Sequence, residues 1–199
     1  MLEDLVDAFN QIFSSIQENF GFLATIILIL WGIQFLNHIS GYRLNLLGIL
    51  PRTFHGLIGI VAAPFLHGSW QHLFFNTIPL VVLGALILVN GKQQFFEIST
   101  IIILASGFAT WLFGRRALHV GASGVILGYW GFLLFSAYEE KSALGFVLGF
   151  LCLYYFGGLV LNLFPTEEKV SWEGHVFGFF SGILASYLMI HNNLLALNN

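Results

Sequence analysis

Gly121-Ala122-Ser123-Gly124 places a serine among small residues, a few positions inside an apolar run. A hydroxyl framed by glycines has little packing value of its own. It becomes a nucleophile when a base stands within hydrogen-bond reach. Two further polar clusters could complete such a site. One runs from His67 through Gly68, Ser69, Trp70, Gln71 and His72 to Asn76; the other is Glu173-Gly174-His175, followed by Gly178. His175 is the candidate base. His72 and Asn76 are four residues apart and share one helical face. They can offer two side-chain donors to a developing oxyanion, with the Ser123 N–H as a third. Glu173 is two residues from His175 and points to another face, so the pattern reads as a Ser–His dyad rather than a triad.

What must hold these residues is set by composition. The chain has 199 residues, 57% hydrophobic and only 9% charged. Soluble domains carry about 25% charged residues, so this chain cannot cover a water-facing surface, and a bilayer is its natural solvent. A net charge of −3 provides no basic footprint for nucleic acid. The one cysteine, Cys152, lies in an apolar run and reads as a small core residue. No Lys or Arg precedes Arg43, which argues against a cleavable signal peptide.

Residues 1–20 carry Leu2, Leu5, Val6, Phe9, Ile12, Phe13, Ile16 and Phe20 at helical spacing, which predicts an amphipathic segment. Six apolar runs follow, at about 21–36, 71–89, 95–113, 120–137, 143–162 and 174–190. Each approaches the ~20 residues of a spanning helix, and no alternating strand pattern competes. The expected architecture is an all-α membrane protein with six transmembrane helices over 21–192, and a short tail at 193–199. The Phe-rich fifth run (Phe146, Phe150, Tyr154, Tyr155, Phe156) reads as lipid-facing bulk. Between the first two runs, 37–70 holds Gly41, Gly48, Gly56, Gly59, Pro51 and Pro64. It is too broken for a span and reads as a loop with short helices.

The three polar clusters open the second, fourth and sixth runs. Alternate spans cross in the same direction, so all three clusters lie on one side of the membrane at similar depth. Ser123 is expected about 5–8 Å into its helix at 1.5 Å per residue. Gly124, Gly128 and Gly131 form one small-residue stripe, and Gly174, Gly178 and Gly182 another. Such stripes let two backbones approach closely, and packing them together would bring Ser123 to His175.

Plainer roles compete. A serine among glycines is often only a packing residue, and Asn76 could glue helices. His67 lies on a different face from His72 and reads as a structural or rim residue, His119 as a candidate rim residue, and His38, His55 and His191 as residues in or near loops with no chemical role. A metal enzyme built on His67, His72, His119 and His175 lacks any recognisable ligand spacing, so no metal and no cofactor are expected.

In the order HGSWQHLFFN at 67–76, GASG at 121–124 and GHVFGFFSG at 174–182, the chain resembles the rhomboid intramembrane serine proteases. The resemblance covers about residues 21–190. It implies Ser123 as nucleophile, His175 as general base, and His72 and Asn76 as oxyanion-hole side chains. Gly121 and Gly124 frame the nucleophile, and Gly174 and Gly178 support helix packing. It implies a six-helix bundle with a half-submerged first loop, a water-filled cavity open to one side, and a gate over 163–171 with the fifth helix. Partners would be membrane lipid and single-pass transmembrane substrates, cut near the membrane surface in an inner membrane if the source is bacterial. A non-catalytic binder of client helices is the alternative.

The chain departs from the family at three places. The first loop lacks the Trp-Arg pair, Leu88 and Asn90 stand where an acid–base pair ends the second helix, and Leu127 replaces an aromatic four residues after the nucleophile. Five of seven Lys/Arg fall in the odd-numbered loops. The positive-inside rule would put those loops in the cytoplasm, whereas the family topology puts the active site on the opposite side. The family topology carries the expectation, because the count rests on few charges.

Overall fold

The computed structural model describes residues 2–164 and 171–197. Among them no strand forms, and seven α-helices follow in order: α1 (Leu2–Ile39), α2 (Gly59–Ala62), α3 (Trp70–Ile87), α4 (Lys92–Phe113), α5 (Ser123–Glu140), α6 (Ala143–Phe156) and α7 (Trp172–Leu197). The punctuation at 165–169, most of the expected gate, the side chain of His191 and residues 198–199 lie outside the described residues.

Five helices are long and apolar enough to cross a membrane, counting the 3₁₀ turns that extend α3 to Asn90 and α6 to Leu163. The protein is an integral multi-pass membrane protein. The sixth long helix, α5, has a different place. Val125, Ile126, Leu127, Tyr129, Trp130, Phe132 and Leu133 are all at most 6% exposed, so it is buried on nearly every face. A helix that is apolar all round belongs at the centre of a bundle. It packs most extensively on α7, then α6, and also meets α3 and α4.

The amphipathic segment and the first apolar run are one continuous helix, α1, about 57 Å long at 1.5 Å per residue. Its buried stripe is Ala8, Ile12, Ser15, Asn19, Leu23 and Leu30, with Gln34 and Asn37 at the far end. The large apolar residues of this amphipathic segment mostly point outward; Phe9, Phe13 and Phe20 are 56–70% exposed. Bulky side chains turn to lipid and small ones to protein, because close packing between membrane helices needs short side chains. Phe146, Phe150, Tyr154 and Tyr155 on α6 are likewise exposed.

Local sequence sets the helix ends that matter for the site. Ser69 caps α3, accepting from the His72 N–H at 3.0 Å. Ser142 caps α6 through the Gly145 N–H at 2.9 Å. The helix carrying the serine begins later than its apolar run suggests: Ser123 is its first residue, not several residues inside. Gly121 has φ +124, a conformation that only glycine adopts readily, and residues 118–121 therefore approach the helix as non-helical chain.

Candidate active site

Glycines make the close approach that the two stripes predict. A Cβ at Gly178 would stand 2.1 Å from the Gly124 carbonyl oxygen, and one at Gly182 would stand 1.9 Å from that of Gly128. Gly131 meets the Phe179 carbonyl in the same way, at 2.4 Å. Farther along the seam, the Ser136 and Ser186 hydroxyls are 2.6 Å apart and buried. With α5 and α7 held backbone to backbone, the Ser123 Oγ lies 2.9 Å from His175 Nε2. His175 Nδ1 is 2.9 Å from the Asn162 carbonyl oxygen. A carbonyl only accepts, so Nδ1 carries the proton and Nε2 presents its lone pair to the serine. Sequence reasoning missed this partner because it looked for an Asp or Glu; a backbone carbonyl leaves no mark in residue type.

His72 and Asn76 project from α3 into a cavity of about 590 Å³ that Ser123, His175, Asn162 and Leu127 also line. Asn76 is 8% exposed, and its Nδ2 has no hydrogen-bond partner among the described residues. A buried donor left unpaired costs about 1–3 kcal/mol, so this donor is set for an acceptor that enters the cavity. Ser123 opens α5, so its N–H belongs to the first turn, where no intrahelical carbonyl is available. Gly121 makes the room: a Cβ there would lie 2.7 Å from His72 Cε1 and 3.5 Å from Asn76 Nδ2. Gly174 is placed against Gly124, whose Cβ would stand 3.2 Å from the Gly174 carbonyl oxygen.

The long first loop is a cradle for the serine turn, which its irregular sequence did not announce. Ile49 and His119 exchange backbone hydrogen bonds at 3.0 and 2.9 Å. The Gly121 N–H donates to the Ala63 carbonyl at 2.9 Å. The Ala122 N–H donates to His67 Nε2 at 3.4 Å. His67 is fully buried, and its ring meets the His72 ring edge-on at 5.1 Å. Burial, with the neighbouring His72 adding to it, lowers the His67 pKa to about 3. His67 is therefore neutral at ordinary pH and keeps Nε2 free to accept. The Asn37 and Asn45 amides in turn hold the His67 carbonyl, at 3.2 and 3.3 Å. Arg52, with φ 58, donates to the Leu112 and Gly114 carbonyls and ties the loop to the end of α4.

Histidines outside this set have other surroundings. His38, in the last turn of α1, meets Tyr42, and His55, in the first loop, meets the Leu46 carbonyl; both contacts are exposed. His119 is not on the rim: it is 4% exposed, between the serine turn and the start of α7. Cys152 is fully buried.

Residues 55–192 match the Rhomboid domain family. The chain belongs to the rhomboid family. An uncharacterized protein of Mycobacterium tuberculosis is 36% identical over 176 residues, covering 84% of this chain and 73% of that protein. An uncharacterized protein of Mycobacterium leprae is 34% identical over 177 residues, covering 84% of this chain and 70% of its own. A RHOMBOID-like protein 6, mitochondrial, from Arabidopsis thaliana is 28% identical over 140 residues, 66% of this chain and 43% of that one. The matched region of this rhomboid contains the serine turn, both oxyanion candidates and His175.

Proposed function

We propose that this rhomboid is an intramembrane serine endopeptidase that cuts single-pass transmembrane proteins near the membrane surface. The observation that carries the reading is the 2.9 Å contact between Ser123 Oγ and His175 Nε2 in a cavity shared with His72 and Asn76. Ser123 is the nucleophile and His175 the general base. As Ser123 Oγ bonds to the scissile carbonyl carbon, its proton passes to His175 Nε2. The imidazolium keeps its Nδ1–H on the Asn162 carbonyl, which holds the ring in one tautomer and orientation. Charge on the tetrahedral oxygen is met by the Ser123 N–H, Asn76 Nδ2 and the His72 ring, at the N-terminal end of α5. His175 Nε2–H then protonates the leaving amine as the C–N bond breaks. A water, deprotonated by the same nitrogen, releases the acyl group from Ser123.

In this reading α5 is the fourth of six spans, surrounded by protein rather than lipid. The first 20 residues precede the catalytic bundle. Leu127 cannot stack on His175 as an aromatic would, and the Asn162 carbonyl takes over the orienting task.

The test is cleavage of a single-pass substrate by purified protein in detergent or vesicles. Ser123→Ala abolishes cleavage, and a fluorophosphonate labels Ser123 but neither Ser106 nor Ser136. Undiminished cleavage by Ser123→Ala would sink the proposal. A wild-type protein that binds a client helix yet never hydrolyses it would make this rhomboid a binder.

A further inference from the structure

His175 is held by more than the glycine seam. The chain between α4 and α5, which delivers Ser123, also grips the first turn of α7. Glu173, 7% exposed, places Oε1 at 3.3 Å from the Arg115 N–H and 3.5 Å from Arg115 Nε. Four residues on, His119 Nε2–H donates to the Arg115 carbonyl at 3.1 Å, which leaves Nδ1 to accept from the Ser171 hydroxyl. Burial keeps the His119 pKa below the ordinary imidazole value, consistent with this neutral form. The Ser171 carbonyl accepts the His175 N–H at 3.3 Å, so Ser171 is tied at once to His119 and to the histidine's own backbone. Gly174 leaves room for this, since a Cβ there would lie 3.1 Å from Ser171 Oγ.

We infer that Arg115, His119, Ser171 and Glu173 form a latch that joins the serine turn to the histidine helix and sets the distance from Ser123 to His175. Glu173 and Ser171 are positioning residues; neither touches the reacting atoms. The physical argument is one of lever arms. The glycine seam fixes how closely α5 and α7 approach, but two packed helices can still slide along their axes. A slide is resisted only by contacts that cross the seam at a defined height. Ser136 and Ser186 make one such contact far from the site; near His175 the two crossings lie within four residues of it and start from the five residues Arg115–His119. The same short chain thus carries the nucleophile and the reference point for its base. The buried carboxylate of Glu173 is retained because its partner is the backbone and side chain of that chain.

The inference rests on the Ser–His reading above, and its test separates the two. Wild type, Glu173→Ala, Glu173→Gln and Ser171→Ala are reacted with a fluorophosphonate, and the capture rate is taken per titrated active site. The thermal midpoint and the KM for a peptide substrate are measured beside it. Misplacing a reacting group by about an ångström can cost about a hundredfold. Glu173→Ala should therefore slow capture by about tenfold or more, and Ser171→Ala by about threefold, with KM within about twofold of wild type. Glu173→Gln keeps an acceptor for the Arg115 N–H and should recover most of the rate. A purely structural role would lower the midpoint and the number of active sites but leave the rate per active site unchanged, and that result overturns the latch. If Glu173→Ala does not fold, Ser171→Ala decides, since it removes one hydroxyl; a wild-type rate there overturns the latch. Wild-type protein that fails to react at Ser123 refutes the dyad itself, a different failure.

Discussion

The cavity has two walls, and they are built differently. Along α5 and α7, glycines let main chain lie on main chain: carbonyl oxygens of Gly124 and Gly128 sit where Cβ atoms of Gly178 and Gly182 would be. Across the cavity, α3 presents His72 and Asn76 as side chains on a helix that carries Pro79 and turns Phe74 and Ile78 outward. The first wall cannot change shape without a backbone shift, whereas the second can adjust by rotamer. In the proposed mechanism the nucleophile and base need a fixed spacing, while the donors need only be present and unpaired when the substrate oxygen arrives.

The largest effect expected from this contrast comes from adding atoms to the first wall. Gly182→Val puts a branched side chain where even a Cβ lies 1.9 Å from a carbonyl oxygen. Overpacking typically costs about 1–3 kcal/mol, and occasionally more. A clash against backbone falls at the upper end, so the variant should lose about 3 kcal/mol or more, with little folded protein recovered. Thermal unfolding in detergent measures it. A variant with near-wild-type stability would mean that the seam can open, and the contrast between the walls would fail.

On the second wall, deletion should cost rate and spare the fold. Asn76→Ala removes the buried, unpaired amide. The loss of one oxyanion donor lowers kcat by about a hundredfold, with KM nearly unchanged and stability equal to or above wild type. His72→Ala should act in the same direction. Loss of stability without loss of kcat would turn Asn76 into helix glue.

Much of the first wall was legible in the sequence, because four-residue glycine spacing has one main use in a membrane helix, and the direction of alternate spans follows from counting them. Ser123, His175, His72 and Asn76 were legible as candidates because the proposed chemistry calls on their side chains. What stayed hidden was carried by backbone. Nothing in Ile49, Ala63 or Asn162 as residue types announces that their main-chain groups hold His119, Gly121 and His175. The face that α1 buries was not legible for a related reason: spacing finds an apolar stripe, but in lipid the bulky apolar stripe faces outward.

The cradle beneath the serine turn gives a smaller, pH-dependent effect. His67 has a pKa of about 3 when folded against an ordinary value of about 6.5. Between these values the unfolded chain binds a proton that the folded protein refuses, so stability rises with pH across the window and is lost as pH falls from about 6.5 towards 3. Gln at 67 offers the Ala122 N–H an acceptor without that proton. His67→Gln should therefore have a flatter thermal midpoint between about pH 6 and 4 than wild type. Parallel slopes would show that His67 does not stay neutral in the fold.

The smallest effect should come from the asparagine whose side chain is spare. Asn162 and Asn76 line the same cavity, yet they act through different atoms. Asn76 offers a side-chain amide that truncation removes. Asn162 has an exposed side chain and offers His175 its carbonyl, which every residue type retains. Asn162→Ala should consequently lower kcat by less than about threefold, against about a hundredfold for Asn76→Ala. Leu163→Pro tests the same bond from the other side, because a proline drives the preceding residue out of the helical region and swings that carbonyl off His175. If Asn162→Ala proved as damaging as Asn76→Ala, the side chain and not the main chain would orient the base. The rigid wall would then depend on a rotamer after all.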